Sequence, residues 1–111
     1  MFSKKQRLNK EEIGKIFKNP DFFFKSENLT LRANKNNLPY PRFGFVVSKK
    51  IEKSAVKRHF IKRKIINLIK NNIEINKNID LFISMKNNIL KLDNNNIKKE
   101  IDNLINKCII D

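Results

Sequence analysis

Residues 42–70 read RFGFVVSKKIEKSAVKRHFIKRKIINLIK, and a change of pattern inside this stretch decides the fold. Arg42 to Ser48 is a near-continuous β-prone run, the pattern of a central strand covered on both sides. From Ser54 onward the period becomes helical. Ser54 is placed to act as N-cap of a helix running to about Lys70, with Ile61, Ile65, Leu68 and Ile69 on one face as the core stripe. A strand, a short basic loop and an amphipathic helix in succession point to an α/β domain.

The helix carries its charge unevenly. Arg58 and Lys62 extend the apolar stripe toward the N-terminus, where apolar residues would be expected, and Arg63 and Lys64 lie around the back. The first turns are therefore ringed with cations while the later turns are amphipathic. Only Glu52 offers a carboxylate in the stretch, and the backbone N–H groups of the first turn add anion affinity. The charge is also anchored, since it follows directly on Phe45-Val46-Val47 through Ser48-Lys49-Lys50. Lys49, Lys50, Lys57, Arg58, Lys62 and Arg63 are accordingly expected to bind a polyanion, with His59 as a hydrogen-bonding neighbour. Phe60 falls opposite the core stripe, between Lys57 and Lys64, with Val56 one turn before it. It is expected to pack beneath the first helix or an adjacent loop; the competing reading is a base or ribose packing against it.

Toward the N-terminus, residues 1–8 are basic and read as loose. A short helix follows, capped by Asn9, with Glu12 three residues on reaching back in a capping box that has Asn in place of Ser or Thr. Leu8 and Ile13 fit a hydrophobic staple. Ile13, Ile16 and Phe17 make one apolar face, and Asn19-Pro20 ends the helix. Phe22-Phe23-Phe24 is a short β run. Leu29, Leu31 and Ala33 then alternate with Asn28, Thr30 and Arg32, as in a strand with one buried face. Toward the C-terminus, 71–78 is a polar connection and IDLFISM (79–85) a further strand. Asp93 or a neighbouring Asn caps a last helix with Ile97, Ile101, Leu104, Ile105 and Cys108 on one face. The expected architecture is one domain over residues 1–111, a two-layer α/β sandwich of order αβββαβα, without internal repeat or linker.

The chain has 25 Lys+Arg against 11 Asp+Glu, a formal net charge of +14. A surplus that large in one small domain repels itself, and a polyanion relieves it. Nucleic acid is the first such partner and an anionic membrane surface the second. Membrane association is disfavoured because the apolar face of the basic helix is needed for the core. No apolar run is long enough to span a bilayer, and MFSKKQRLNK lacks the apolar segment of a secretory signal. Cys108, the only cysteine, has no internal disulfide partner, reads as a small buried hydrophobe and fits a cytoplasmic protein. With one His and two Gly, the chain offers no Cys/His metal set, no Gly-rich phosphate loop and no paired carboxylates in a common pocket. His59 is a poor lone general base. No catalytic residue and no protein-held metal are expected.

FGFVVSKKI followed by AVKRHFIKRK resembles the protein subunit of bacterial ribonuclease P, whose motif couples a strand, Ser-Lys-Lys and an Arg-Asn-Arg-bearing basic helix. QRLNKEEIGKIFKNP is similar to the opening segment and first helix of that family, and IDLFISM and the last helix stand where the family has them. There are departures. Arg58 keeps the first arginine of the motif, but His59 stands for its asparagine, Phe60 for its second arginine and Ile66 for a further arginine one turn on. Glu52 replaces a glycine, the loop is one residue longer, and Ile13 replaces an aromatic while Phe17 keeps one.

The resemblance implies a left-handed βαβ crossover, against the general rule. It implies a subunit bound to the catalytic ribonuclease P RNA, which with Mg²⁺ held mainly by the RNA removes the 5′ leader of precursor tRNA. It also implies a leader cleft between the first helix and the sheet, for which Ile13, Phe17 and Arg32 are the candidates. No obligate protein partner is evident. Two rivals stand beside it. A ribosomal protein has similar size and charge but not this motif. An architectural DNA-binding protein would offer a recognition helix or a dimer seam, and neither is evident.

Overall fold

The structure, a computed structural model, describes residues 6–72, 78–86 and 93–109. Its elements run α1 (Lys10–Lys18), β1 (Phe22–Lys25), β2 (Leu29–Lys35), β3 (Arg42–Val46), α2 (Ala55–Asn72), β4 (Ile79–Met85) and α3 (Asn94–Ile109), the order expected from sequence. Local chemistry sets the helix starts. The Asn9 side chain accepts from the Glu12 N–H and the Glu12 carboxylate accepts from the Asn9 N–H, each at 2.8 Å, so the capping box is complete. Ser54 Oγ accepts from the Lys57 N–H at 3.2 Å, and Asp93 Oδ1 from the Asn95 N–H at 3.1 Å. α2 runs slightly beyond the predicted Lys70, to Asn72. The connection expected over 71–78 lies, for 73–77, outside the described residues.

The four strands are ordered β1-β2-β4-β3. β1 pairs antiparallel with β2 and β2 antiparallel with β4, while β3 runs parallel to β4. β4 is thus central and β3 lies at the edge, which corrects the reading of Arg42–Ser48 as a central strand. Its residues are apolar on both sides because helices cover both sides, not because strands flank it. The edge itself is met by residues 6–8. Arg7 bridges Phe43 in parallel, and the Leu8 N–H donates to the Phe43 carbonyl at 2.9 Å. These residues are pinned rather than loose, a second correction; residues 1–5 lie outside the described set.

Successive side chains point to opposite faces, so the register sorts the sheet into two surfaces. Phe22, Ala33, Leu81 and Phe43 form one row across the strands, and Phe24, Leu31, Ile83 and Phe45 the next. This inner face packs on Ile61, Ile65 and Ile69 of α2 and on Ile97, Ile101, Leu104, Ile105 and Cys108 of α3. Those are the faces the helical periodicity predicts, and each fully buried isoleucine contributes roughly 1.5–3 kcal/mol. The other face carries the rows Phe23-Arg32-Phe82-Gly44 and Lys25-Thr30-Ser84-Val46. α1 lies on this outer side. The δ-methyl of Ile13 reaches Gly44, and the Phe17 ring meets the Phe82 ring edge-on at 5.7 Å. The inner layer matches the expected sandwich, with α1 added across the outer face.

One polar cluster fastens α1 to that face. Asp80, 6% exposed, accepts from Arg42 Nε and Nη2 at 2.8 Å each and from Asn36 Nδ2 at 2.6 Å. The other terminal nitrogen of Arg42 pairs with Glu12, the same residue that closes the capping box of α1. The hydrogen bond it donates to Asp80 holds the Arg42 guanidinium above its ordinary pKa, against the opposing pull of burial.

Candidate nucleic-acid interface

Two surfaces carry the charge and the exposed aromatics. The first is the turn after β3 together with the opening of α2. The Ser48 carbonyl accepts from the N–H groups of Ile51 and Glu52 at 3.1 Å, which turns the chain and leaves Lys49 and Lys50 exposed. Lys57, His59 and Arg63 are exposed and Lys62 is half-buried on the helix that follows. None of Lys49, Lys50, Lys57, Lys62 and Arg63 has a carboxylate partner among the described residues. They form a cationic surface fixed to the fold at one end of α2.

Arg58 is different. Its Nη1 donates to the carbonyls of Glu52 and Lys53 at 3.0 and 2.9 Å, so it ties the turn to the helix and sets where Lys49 and Lys50 project. Ile66 borders a cavity of about 170 Å³ with Arg7, Leu8, Ile13, Phe43, Gly44 and Phe45. Phe60 is 56% exposed and Val56 65% exposed, so the expected packing of Phe60 beneath α1 or a loop is not what the fold does. The reason is geometric: α1 lies on the far side of the sheet from α2, out of reach of its outer face.

The second surface is the outer face of the sheet beside α1. The guanidinium carbon of Arg32 sits 4.1 Å from the Phe17 ring centroid and 4.3 Å from that of Phe23. The cation is held between two rings, and both remain open to solvent, Phe17 at 52% and Phe23 at 43%. Lys25 Nζ lies 5.3 Å from the Phe23 centroid, and Val46 at the β3 edge of the adjoining row is exposed. An aromatic–cation platform of this kind suits a single strand, whose bases stack and whose phosphates pair with charge.

The structure brings Phe17 and Arg32 together, as the sequence suggested. Ile13 lies over the same outer face, its δ-methyl at Gly44, the next residue in the row after Phe82. Phe23 and Lys25 were missed. Their signal was the alternation of FFFK, legible only once the hairpin register sets Phe23 opposite Arg32. Glu12 of α1 and Asp80 of β4 are both engaged by Arg42. Among the described residues no group of three or more His, Cys, Asp or Glu side chains could hold a metal ion, and no helix is long and apolar enough to cross a membrane.

Fold and surfaces together define a small, strongly basic α/β protein with two exposed cationic surfaces suited to a polyanion. Residues 2–109 match the family described as Ribonuclease P, and the chain belongs to the family of ribonuclease P protein components. It is 41% identical over 69 residues to the ribonuclease P protein component of Pseudoalteromonas atlantica, covering 62% of this chain and 58% of that one. It is 29% identical over 100 residues to the component from Stutzerimonas stutzeri, covering 90% and 76%. The fold is similar to that of the ribonuclease P protein from Thermotoga maritima, with a TM-score of 0.77 at 24% identity over 88% of this chain and 93% of that one. The ribosomal-protein alternative is thereby set aside.

Proposed function

We propose that this protein acts in the cytoplasm as the RNA-binding subunit of a ribonuclease P holoenzyme. The turn at Lys49-Lys50 and the cations of α2 neutralise phosphates of the catalytic RNA, while the platform beside α1 holds the 5′ leader of precursor tRNA. The whole chain serves as one RNA-binding domain. The observation that carries the reading is Arg32 clamped between the half-exposed rings of Phe17 and Phe23 beside α1 on the outer face of the sheet. Buried on the inner face, the same residues would have been core. Hydrolysis in this proposal belongs to the RNA and to Mg²⁺ bound mainly by it. With Glu12 and Asp80 committed to Arg42, the chain's part is charge neutralisation and positioning.

The test is reconstitution with the cognate catalytic RNA and a precursor tRNA carrying a 5′ leader. The protein alone should cut nothing, with or without Mg²⁺, and the reconstituted particle should cut at the mature 5′ end. Arg32→Ala and Phe17→Leu should weaken precursor binding and spare mature tRNA binding, the arginine effect shrinking as salt rises. Folded variants that bind precursor as tightly as wild type would place the leader elsewhere.

A further inference from the structure

We infer that Phe60, on the outer face of α2, is a stacking site for one unpaired nucleobase of the RNA that this helix binds; the inference rests on the RNA-binding reading above. Phe60 and Val56 are i and i−4 on one helical face and are 56% and 65% exposed, so the fold leaves an aromatic ring and a branched side chain in water side by side. Neither contributes to the core. The ring is flanked by Lys57 one turn before and by Arg63 and Lys64 one turn after, which places ammonium and guanidinium groups at its rim.

Phe60 differs from the other exposed aromatics of this protein. Phe17 and Phe23 already hold the guanidinium of Arg32 against their faces, whereas no ring or cation among the described residues occupies the face of Phe60. An open ring face surrounded by positive charge selects its occupant. A second copy of this chain would bring another net charge of +14 against the first. A nucleic acid brings phosphates to the cations and an aromatic face to the ring at once. In a duplex the faces of the bases are covered by their neighbours, so the base must come from a loop, bulge or end. This chain therefore grips its RNA at position 60 by stacking, beside cations that pair with phosphate.

The experiment is equilibrium binding of the full chain to the cognate ribonuclease P RNA across a KCl series, for wild type and for Phe60→Ala, Phe60→Leu, Phe60→Arg and Phe60→Trp. Circular dichroism melts should match wild type, since position 60 faces solvent. Phe60→Ala should lose roughly ten- to a hundredfold in affinity at every salt concentration, the range for one stacked base, with an unchanged salt slope. Phe60→Leu, apolar but without a flat face, should fall nearly as far. Phe60→Arg should steepen the slope by about 0.7–0.9. The chain has no tryptophan, so Phe60→Trp supplies a single reporter whose emission should be quenched when the RNA binds. Wild-type affinity in folded Phe60→Ala or Phe60→Leu would overturn the stacking site, as would unquenched tryptophan in the complex. Sedimentation of a wild-type dimer that Phe60→Ala dissociates would overturn it too. Failure of wild type itself to bind the RNA would instead remove the RNA-binding reading, and only that arm distinguishes the two.

Discussion

Replacing Asp80 with Asn tests how α1, and with it the platform, is held on the sheet. Asp80 is 6% exposed and accepts three hydrogen bonds, from Arg42 Nε and Nη2 and from Asn36. The amide removes the charge and turns an NH₂ group toward donors that needed an acceptor. Breaking a buried pair from one side costs about 3–5 kcal/mol. The Arg42 side chain is 20% exposed and keeps Glu12, so a cost of about 2–3 kcal/mol is expected here. For a domain of this size that is a fall in Tm of roughly 10–15 °C, read by far-UV circular dichroism. Glu12→Gln should cost less, because Arg42 then retains Asp80. The double variant Asp80→Asn/Arg42→Met should be more stable than the sum of the single losses predicts, since neither buried partner is left facing an absent one. A cost for Asp80→Asn under about 0.5 kcal/mol, the range of ordinary surface changes, would refute the reasoning. So would strict additivity in the cycle.

The sign of the pH dependence follows from the raised pKa of Arg42. A base raised on folding contributes stability that is complete below its unfolded value and is lost as pH climbs through its folded value. For arginine both lie above any working pH, so no loss traceable to Arg42 is expected across roughly pH 6 to 10 in thermal melts. Lys62→Ala and Arg63→Ala should each flatten the salt dependence of RNA binding by about 0.7–0.9 in slope, whereas Arg58→Ala should also lower Tm because it frees the turn at Glu52-Lys53. In the reconstituted particle His59→Ala should raise the protein concentration needed for half-maximal cleavage without lowering the saturated rate; a saturated rate lower by orders of magnitude would revive a catalytic histidine. A Cβ on Gly44 would lie 3.1 Å from Phe82 Cδ1, 3.3 Å from Leu8 Cδ1 and 3.4 Å from Ile13 Cδ1, so Gly44→Val should cost about 1–3 kcal/mol in denaturant melts and weaken leader binding by displacing Phe82 under Phe17.

What the sequence by itself determined is what depends on neighbours a few residues apart. The Asn9–Glu12 cap, the α2 stripe of Ile61, Ile65 and Ile69, the α3 face ending in Cys108 and the strand Ile79–Met85 all appear as read, because helical and strand periods are local. The cationic turn and helix were legible for the same reason, since Glu52 is the only acid within the stretch itself. Only the tertiary structure decided what covers each apolar run. Phe43 and Phe45 read as central strand, yet β3 lies at the edge, because a run of apolar residues records burial without recording whether helices or strands supply it. Phe60 read as a contact and proved exposed, because its environment depends on α1 choosing the opposite face of the sheet. The clamp of Phe17, Arg32 and Phe23 needed the antiparallel register of β1 on β2, a pairing of residues far apart in the chain that no local period encodes.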